Sequence, residues 1–235
     1  MTCCESRSKI GMKNLIWTLG AAILVQLAGR INAADFSVKV TDREPPKEVS
    51  EAIRKLLQPK AVQVLNGNTP VFEFWFSSEV PLKSRPAADK ALEAIPETAV
   101  LGAVTVGSGQ RDYKDNEIAA GVYTMRFGLQ PQDGDHLGTA DYSYFALLIP
   151  ANSDVRPDGF ATAKAMAKAS SHGTASEHPV VLSLRPAPSD TGELPKLNEP
   201  VADHKSVRVK VAAKAGADKT DLLFELVFKG HGHIQ

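Results

Sequence analysis

Hydrophobic and polar side chains alternate with period two over many short stretches of this chain. Phe36-Ser37-Val38-Lys39-Val40 puts Phe36, Val38 and Val40 on one side of an extended backbone, which predicts a strand. Ala61 to Leu65 and Val71 to Phe76 are two further strand runs around Asn66-Gly67, a dipeptide that favours a hairpin turn. Phe72, Phe74 and Phe76 share one face of the second run, and Glu73 and Trp75 share the other. Three aromatics in alternation predict core, because large apolar groups dominate burial. Ala99 to Val106 is another strand, followed by a polar loop from Gly107 to Asn116. In Ala120 to Phe127, Tyr123, Met125 and Phe127 oppose Val122, Thr124 and Arg126. A charged loop, Gln130 to Asp141, leads into the apolar run Tyr142 to Ile149, which Pro150 stops. Val180 to Leu184, Val207 to Val211 and Leu222 to Phe228 complete the strands, the last two around Gly216.

Period 3.6 is rarer. In Lys47 to Gln58, Val49, Ile53, Leu56 and Leu57 share a helical face, Glu51 stands four before Lys55, and Pro59 ends the run. Ala161 to Ala169 is rich in Ala and Lys with little apolar face, and reads either as a solvated helix or as a mobile excursion. Arg185 to Lys205 carries four prolines and no periodicity, so it predicts a long loop. Short strands separated by turn signals predict a mainly β protein, an antiparallel β-sandwich of about nine strands with one or two peripheral helices.

The N-terminus breaks this pattern. Arg7, Lys9 and Lys13 precede an uncharged run from Leu15 to Ala28, and Arg30-Ile31-Asn32-Ala33 follows. The run has 14 residues, whereas a membrane-spanning helix needs about 20. A basic stretch, a short apolar run and a small-residue site predict a secretory signal peptide over residues 1–33, with an uncleaved anchor as the alternative. Met12 is a second candidate start. Leu27-Ala28-Gly29-Arg30 has Arg where a lipidated Cys would stand, which argues against a lipid anchor. Residues 34–235 then form a single β-sandwich-like domain with the Pro-rich loop near 185–205, and no boundary divides them. No membrane span is expected after cleavage.

Export changes the composition that matters. The whole chain of 235 residues balances 27 basic against 27 acidic side chains. Without residues 1–33 it keeps 23 basic and 26 acidic ones. So mild a deficit gives no electrostatic footprint for nucleic acid. Cys3 and Cys4 both fall in the leader, so the mature chain has no thiol nucleophile, disulfide or Cys-ligated metal. Stability has to come from the core alone, and about 200 residues bury roughly 70% of the unfolded surface.

Candidate chemistry is sparse. Gly107-Ser108-Gly109 lacks the third glycine of a dinucleotide fingerprint, and there is no phosphate-binding Gly-Lys-Ser/Thr, no Gly-x-Ser-x-Gly and no His-Glu-x-x-His. Asp133-Gly134-Asp135-His136-Leu137-Gly138 combines carboxylates and an imidazole, which suit a divalent transition metal; the same residues suit a turn whose Asp side chains cap backbone N–H groups. His231-Gly232-His233 would put two imidazoles on one side of a strand, or be a frayed tail. The candidate metal ligands are therefore Asp133, Asp135 and His136, meeting at least one of His178, His231 and His233. Arg126 and Glu73 lie in strands, where a buried ion pair or a solvated sheet face accounts for them without chemistry.

Glu73-Phe74-Trp75-Phe76, Glu79-Val80-Pro81, the run Glu117 to Gly128 and the run Gln130 to Thr139 resemble an uncharacterised family of exported bacterial proteins. Phe145 to Ala151 and His178 to Leu184 extend the likeness. The glycine-tyrosine hairpin at Gly121-Val122-Tyr123 further resembles domains of unknown function regarded as β-sandwiches. The resemblance implies export and a β-sandwich, and no activity. The reading that follows is an exported, periplasmic or secreted, non-enzymatic protein. It would bind an unknown small ligand or an envelope protein, or support an envelope assembly. The alternative is a metal-dependent hydrolase using His and Asp ligands.

Overall fold

The structure, a computed structural model, describes residues 35–112, 115–131, 140, 142–173, 178–188, 192–201 and 203–230. It is mainly β. The strands are β1 (Phe36–Thr41), β2 (Ala61–Asn66), β3 (Thr69–Phe76), β4 (Val80–Pro81), β5 (Val100–Val106), β6 (Gln110–Arg111) and β7 (Glu117–Ile118). They continue with β8 (Gly121–Leu129), β9 (Tyr144–Pro150), β10 (Val180–Pro186), β11 (Lys196–Asn198), β12 (Lys205–Ala215) and β13 (Asp218–Lys229). Each segment predicted as a strand contains one. The additional ones, β4, β6, β7 and β11, are two or three residues long, too short for alternation to show.

The expectation of two packed antiparallel sheets gives way to one hydrogen-bonded path. Among the described residues, an 11-stranded sheet runs β1-β2-β3-β5-β8-β9-β10-β13-β12-β11, with β4 attached to β12; β6 and β7 form a separate ribbon. The path is antiparallel throughout, and only the β4–β12 contact is parallel. The sheet curls until β1 and β11, the two ends of the order, approach one another. Register irregularities at Val64/Leu65, Val100/Gly102 and Lys205/Ser206 supply curvature, as bulges do. At Gly102 a Cβ would stand 2.2 Å from the Trp75 carbonyl oxygen, so this close approach of β5 to β3 requires glycine.

The concave side holds the main core. Phe72, Phe74 and Phe76 of β3 face it as the alternation predicts, with Tyr123, Met125 and Phe127 of β8. Curling brings distant strands onto them: Phe76 meets Phe224 edge-on at 6.0 Å, and Phe228 contacts both Phe36 and Phe72. A 3₁₀ segment, Ala88–Ala94, adds Leu92, and Ile95 follows it into the same core.

The helices are shorter than expected. The Lys47 to Gln58 periodicity yields only α1 (Glu51–Arg54), capped by the Ser50 side chain. Of the predicted helical face Val49, Ile53 and Leu57 are buried but Leu56 is exposed; Leu57 pairs with Ser77 and the Gln58 N–H donates to the Phe76 carbonyl. Sheet-like bonds at the end of β3 thus take the backbone that a longer helix would use. Of the two alternatives for Ala161 to Ala169, the helix is the one found, as α2 (Ala163–Ser170), but it is not wholly solvated. Thr162 caps it, and Met166 and Ser170 are buried against the convex side of the sheet. The Pro-rich segment also contains order, since Lys196, Leu197 and Asn198 pair with β12.

Candidate functional site

The convex side of the sheet is not uniformly polar. β9 is buried along five consecutive residues, Phe145 to Ile149, so both its faces are covered. Ala146 and Leu148 enter the main core, while Phe145, Leu147 and Ile149 point outward to meet Met166, Val181 and Val227. An apolar run without alternation is the signature of a strand buried on both faces, and this run was legible in the sequence. It was the signal that something had to cover β9. That cover is α2, and Ser170 fastens it. The Ser170 hydroxyl donates to the Leu148 carbonyl at 2.7 Å and accepts from the Val180 N–H at 2.9 Å.

The cover is incomplete. Between α2 and the ends of β8, β9 and β10 lies a cavity of about 500 Å³. Its floor is Phe145, Leu147, Met166 and Val181, all buried. Its rim carries Glu97, Leu129, Lys164 and His178, all exposed. Gly128 opens the floor: a Cβ there would stand 2.3 Å from the Leu147 side chain and 3.4 Å from the Met166 methyl. The small side chains of Ala163 and Ala167 on α2 keep the facing wall low. A concave site of this size, apolar below with a few polar groups at the mouth, is typical for a small-molecule ligand.

A second cavity, of about 470 Å³, lies among Phe36, Asn66, Arg111, Asp115, Asp203 and Phe228. Its lining is more polar. Asp115 is paired with Arg111 at 3.5 Å, and Lys229 sits 5.4 Å over the Phe36 ring.

Buried charge elsewhere is structural. Arg126, 0% exposed, forms a two-pronged pair with Asp154 at 2.7 and 2.8 Å. Its remaining N–H groups donate to the carbonyls of Thr98, Arg156 and Pro157, and Phe160 packs on the guanidinium at 5.5 Å. Asp154 also accepts from the Thr124 hydroxyl at 2.6 Å. Every donor of the guanidinium is used, so the cluster ties the segment after β9 to β8 and has no valence left for a substrate. Glu73 is similarly held, accepting from Gln63 and twice from Arg43. Glu225 accepts from Arg208, Asn198 and Ser206, joining β11, β12 and β13. The Tyr123 phenol donates to the Ala119 carbonyl at 2.6 Å, and burial raises its pKa above the ordinary tyrosine value.

Of the predicted metal ligands, Asp133, Asp135, His136, His231 and His233 lie outside the described residues. His178 is described, and it stands on the rim of the apolar cavity. Among the described residues no group of three or more His, Cys, Asp or Glu side chains is placed to hold a metal ion. No described helix is long and apolar enough to cross a membrane. What sequence reasoning missed is the cavity itself, because its lining comes from five separated segments. No family model, curated protein or solved structure matches the chain.

Proposed function

We propose that this is an exported, non-enzymatic binding protein that holds a small ligand with an apolar body between α2 and the convex side of β8, β9 and β10. One observation carries the reading: a cavity of about 500 Å³ whose floor is buried apolar side chains and whose exposed rim carries Glu97, Lys164 and His178. Burial of apolar ligand surface there would contribute roughly 25 cal/mol per Å² before the costs of association. Export rests on the basic, apolar and small-residue order of residues 1–33 and on the resemblance to exported bacterial proteins. The test is fluorescence titration with 1-anilinonaphthalene-8-sulfonate. Saturable one-to-one binding by the wild type, lost in Ala163→Trp with the fold retained, is the expected result. Absence of saturable binding would overturn the proposal.

A second reading, a metal-dependent hydrolase, draws on the place of His178 at the mouth of the same cavity. It requires His136 and the nearby carboxylates to join His178. Zinc titration of wild type, His136→Ala and His178→Ala decides it: equal affinity in all three removes both imidazoles as ligands.

A further inference from the structure

We infer that the ligand of the α2 cavity is a single-chain amphiphile with an anionic end group of the carboxylate type, its chain on the Phe145–Met166 floor and its head at Lys164. The inference rests on the binding reading given above and adds the chemistry of the ligand. The floor offers no charge, so the body of the ligand is apolar. A cavity of about 500 Å³ suits one small ligand; a two-chain membrane lipid exceeds it.

The mouth decides the sign of the head. Among the described residues, three ionisable side chains line it, Glu97, Lys164 and His178. Glu97 already accepts a hydrogen bond from the Leu129 N–H, at 3.3 Å. Lys164 is exposed and has no ion-pair partner among the described residues. It stands in the first turn of α2, which contains no acidic side chain, so the positive end of the helix adds to its field. An ammonium on a flexible stem can follow a carboxylate at the cavity mouth while its methylenes lie along apolar surface. A cationic head would instead meet Lys164 directly.

The experiment is isothermal titration of the full chain near neutral pH with dodecanoate, dodecan-1-ol and dodecyltrimethylammonium, each below its micelle concentration. Dodecanoate should bind one-to-one and most tightly, and Lys164→Glu should weaken it by about three- to tenfold, the scale of an exposed charge contact reversed in sign, while leaving dodecan-1-ol unchanged. Ala163→Trp and, as a second block at an exposed position, Leu129→Trp should abolish binding of all three. Equal affinity for dodecanoate and dodecan-1-ol, with Lys164→Glu silent, would overturn the anionic head and leave the cavity reading standing. Tightest binding of dodecyltrimethylammonium would overturn it in the same way, giving the mouth to Glu97. No saturable binding of any probe, or binding unmoved by either tryptophan, would overturn both.

Discussion

Asp154→Ala is the sharpest probe of how this fold manages a buried charge. Arg126 is 0% exposed and Asp154 3%. The substitution removes two charge-assisted bonds of 2.7 and 2.8 Å and the 2.6 Å bond from Thr124. The guanidinium keeps the carbonyls of Thr98, Arg156 and Pro157 but loses the Asp154 carboxylate, its counter-charge among the described residues. Leaving one member of a buried pair uncompensated costs about 3–5 kcal/mol. With a urea m-value of about 2–3 kcal/mol per M for a chain of this size, the midpoint should fall by about 1–2 M. Replacing both partners, Arg126→Met with Asp154→Ala, removes the stranded charge as well. The double variant should therefore lose much less than the two single losses together. The assay is equilibrium urea unfolding followed by far-ultraviolet circular dichroism. A midpoint unchanged in Asp154→Ala, or strictly additive losses in the double variant, would refute the view that the pair is buried and coupled.

Other outcomes follow from the same packing. Phe74 is 0% exposed and stacks 5.6 Å from Phe72 and 5.9 Å from Phe76, so Phe74→Ala should cost about 3–5 kcal/mol, read as a lowered denaturation midpoint. Burial raises the pKa of Tyr123, so its contribution to stability is complete below the unfolded value of about 10 and is lost as pH rises through the folded value. Unfolding midpoints of Tyr123→Phe should thus decline less than those of wild type between neutral and strongly alkaline pH, and parallel declines would remove Tyr123 as the cause. Mass spectrometry of the native protein should find its N-terminus at Ala34 or one residue away; a cytoplasmic chain starting at Met1 or Met12 would refute export.

Local pattern determined much of this molecule. Alternation placed Phe72, Phe74 and Phe76 on one face of β3 and Tyr123, Met125 and Phe127 on one face of β8, because a strand's side chains can only point to two sides. Asn66-Gly67 marked the hairpin between β2 and β3, where Gly67 takes the left-handed conformation that its missing Cβ allows. The charge of Arg126 within a strand is compatible with a buried pair, but the sequence does not show its partner. Asp154 lies 28 residues away, and nothing local selects it.

The sheet's closure and the cavity belong to tertiary structure. Whether strands make two sheets or one depends on which edges meet, and here bulges and the Gly102 contact curl a single path until β1 nears β11. Alanine-rich α2 carries too little apolar surface to announce a buried face; Met166 is its one large apolar side chain. It is held because β9, apolar on both sides, leaves Phe145, Leu147 and Ile149 in need of cover. A cavity exists where that cover stops short, and its position is fixed by the spacing of elements rather than by any run of residues.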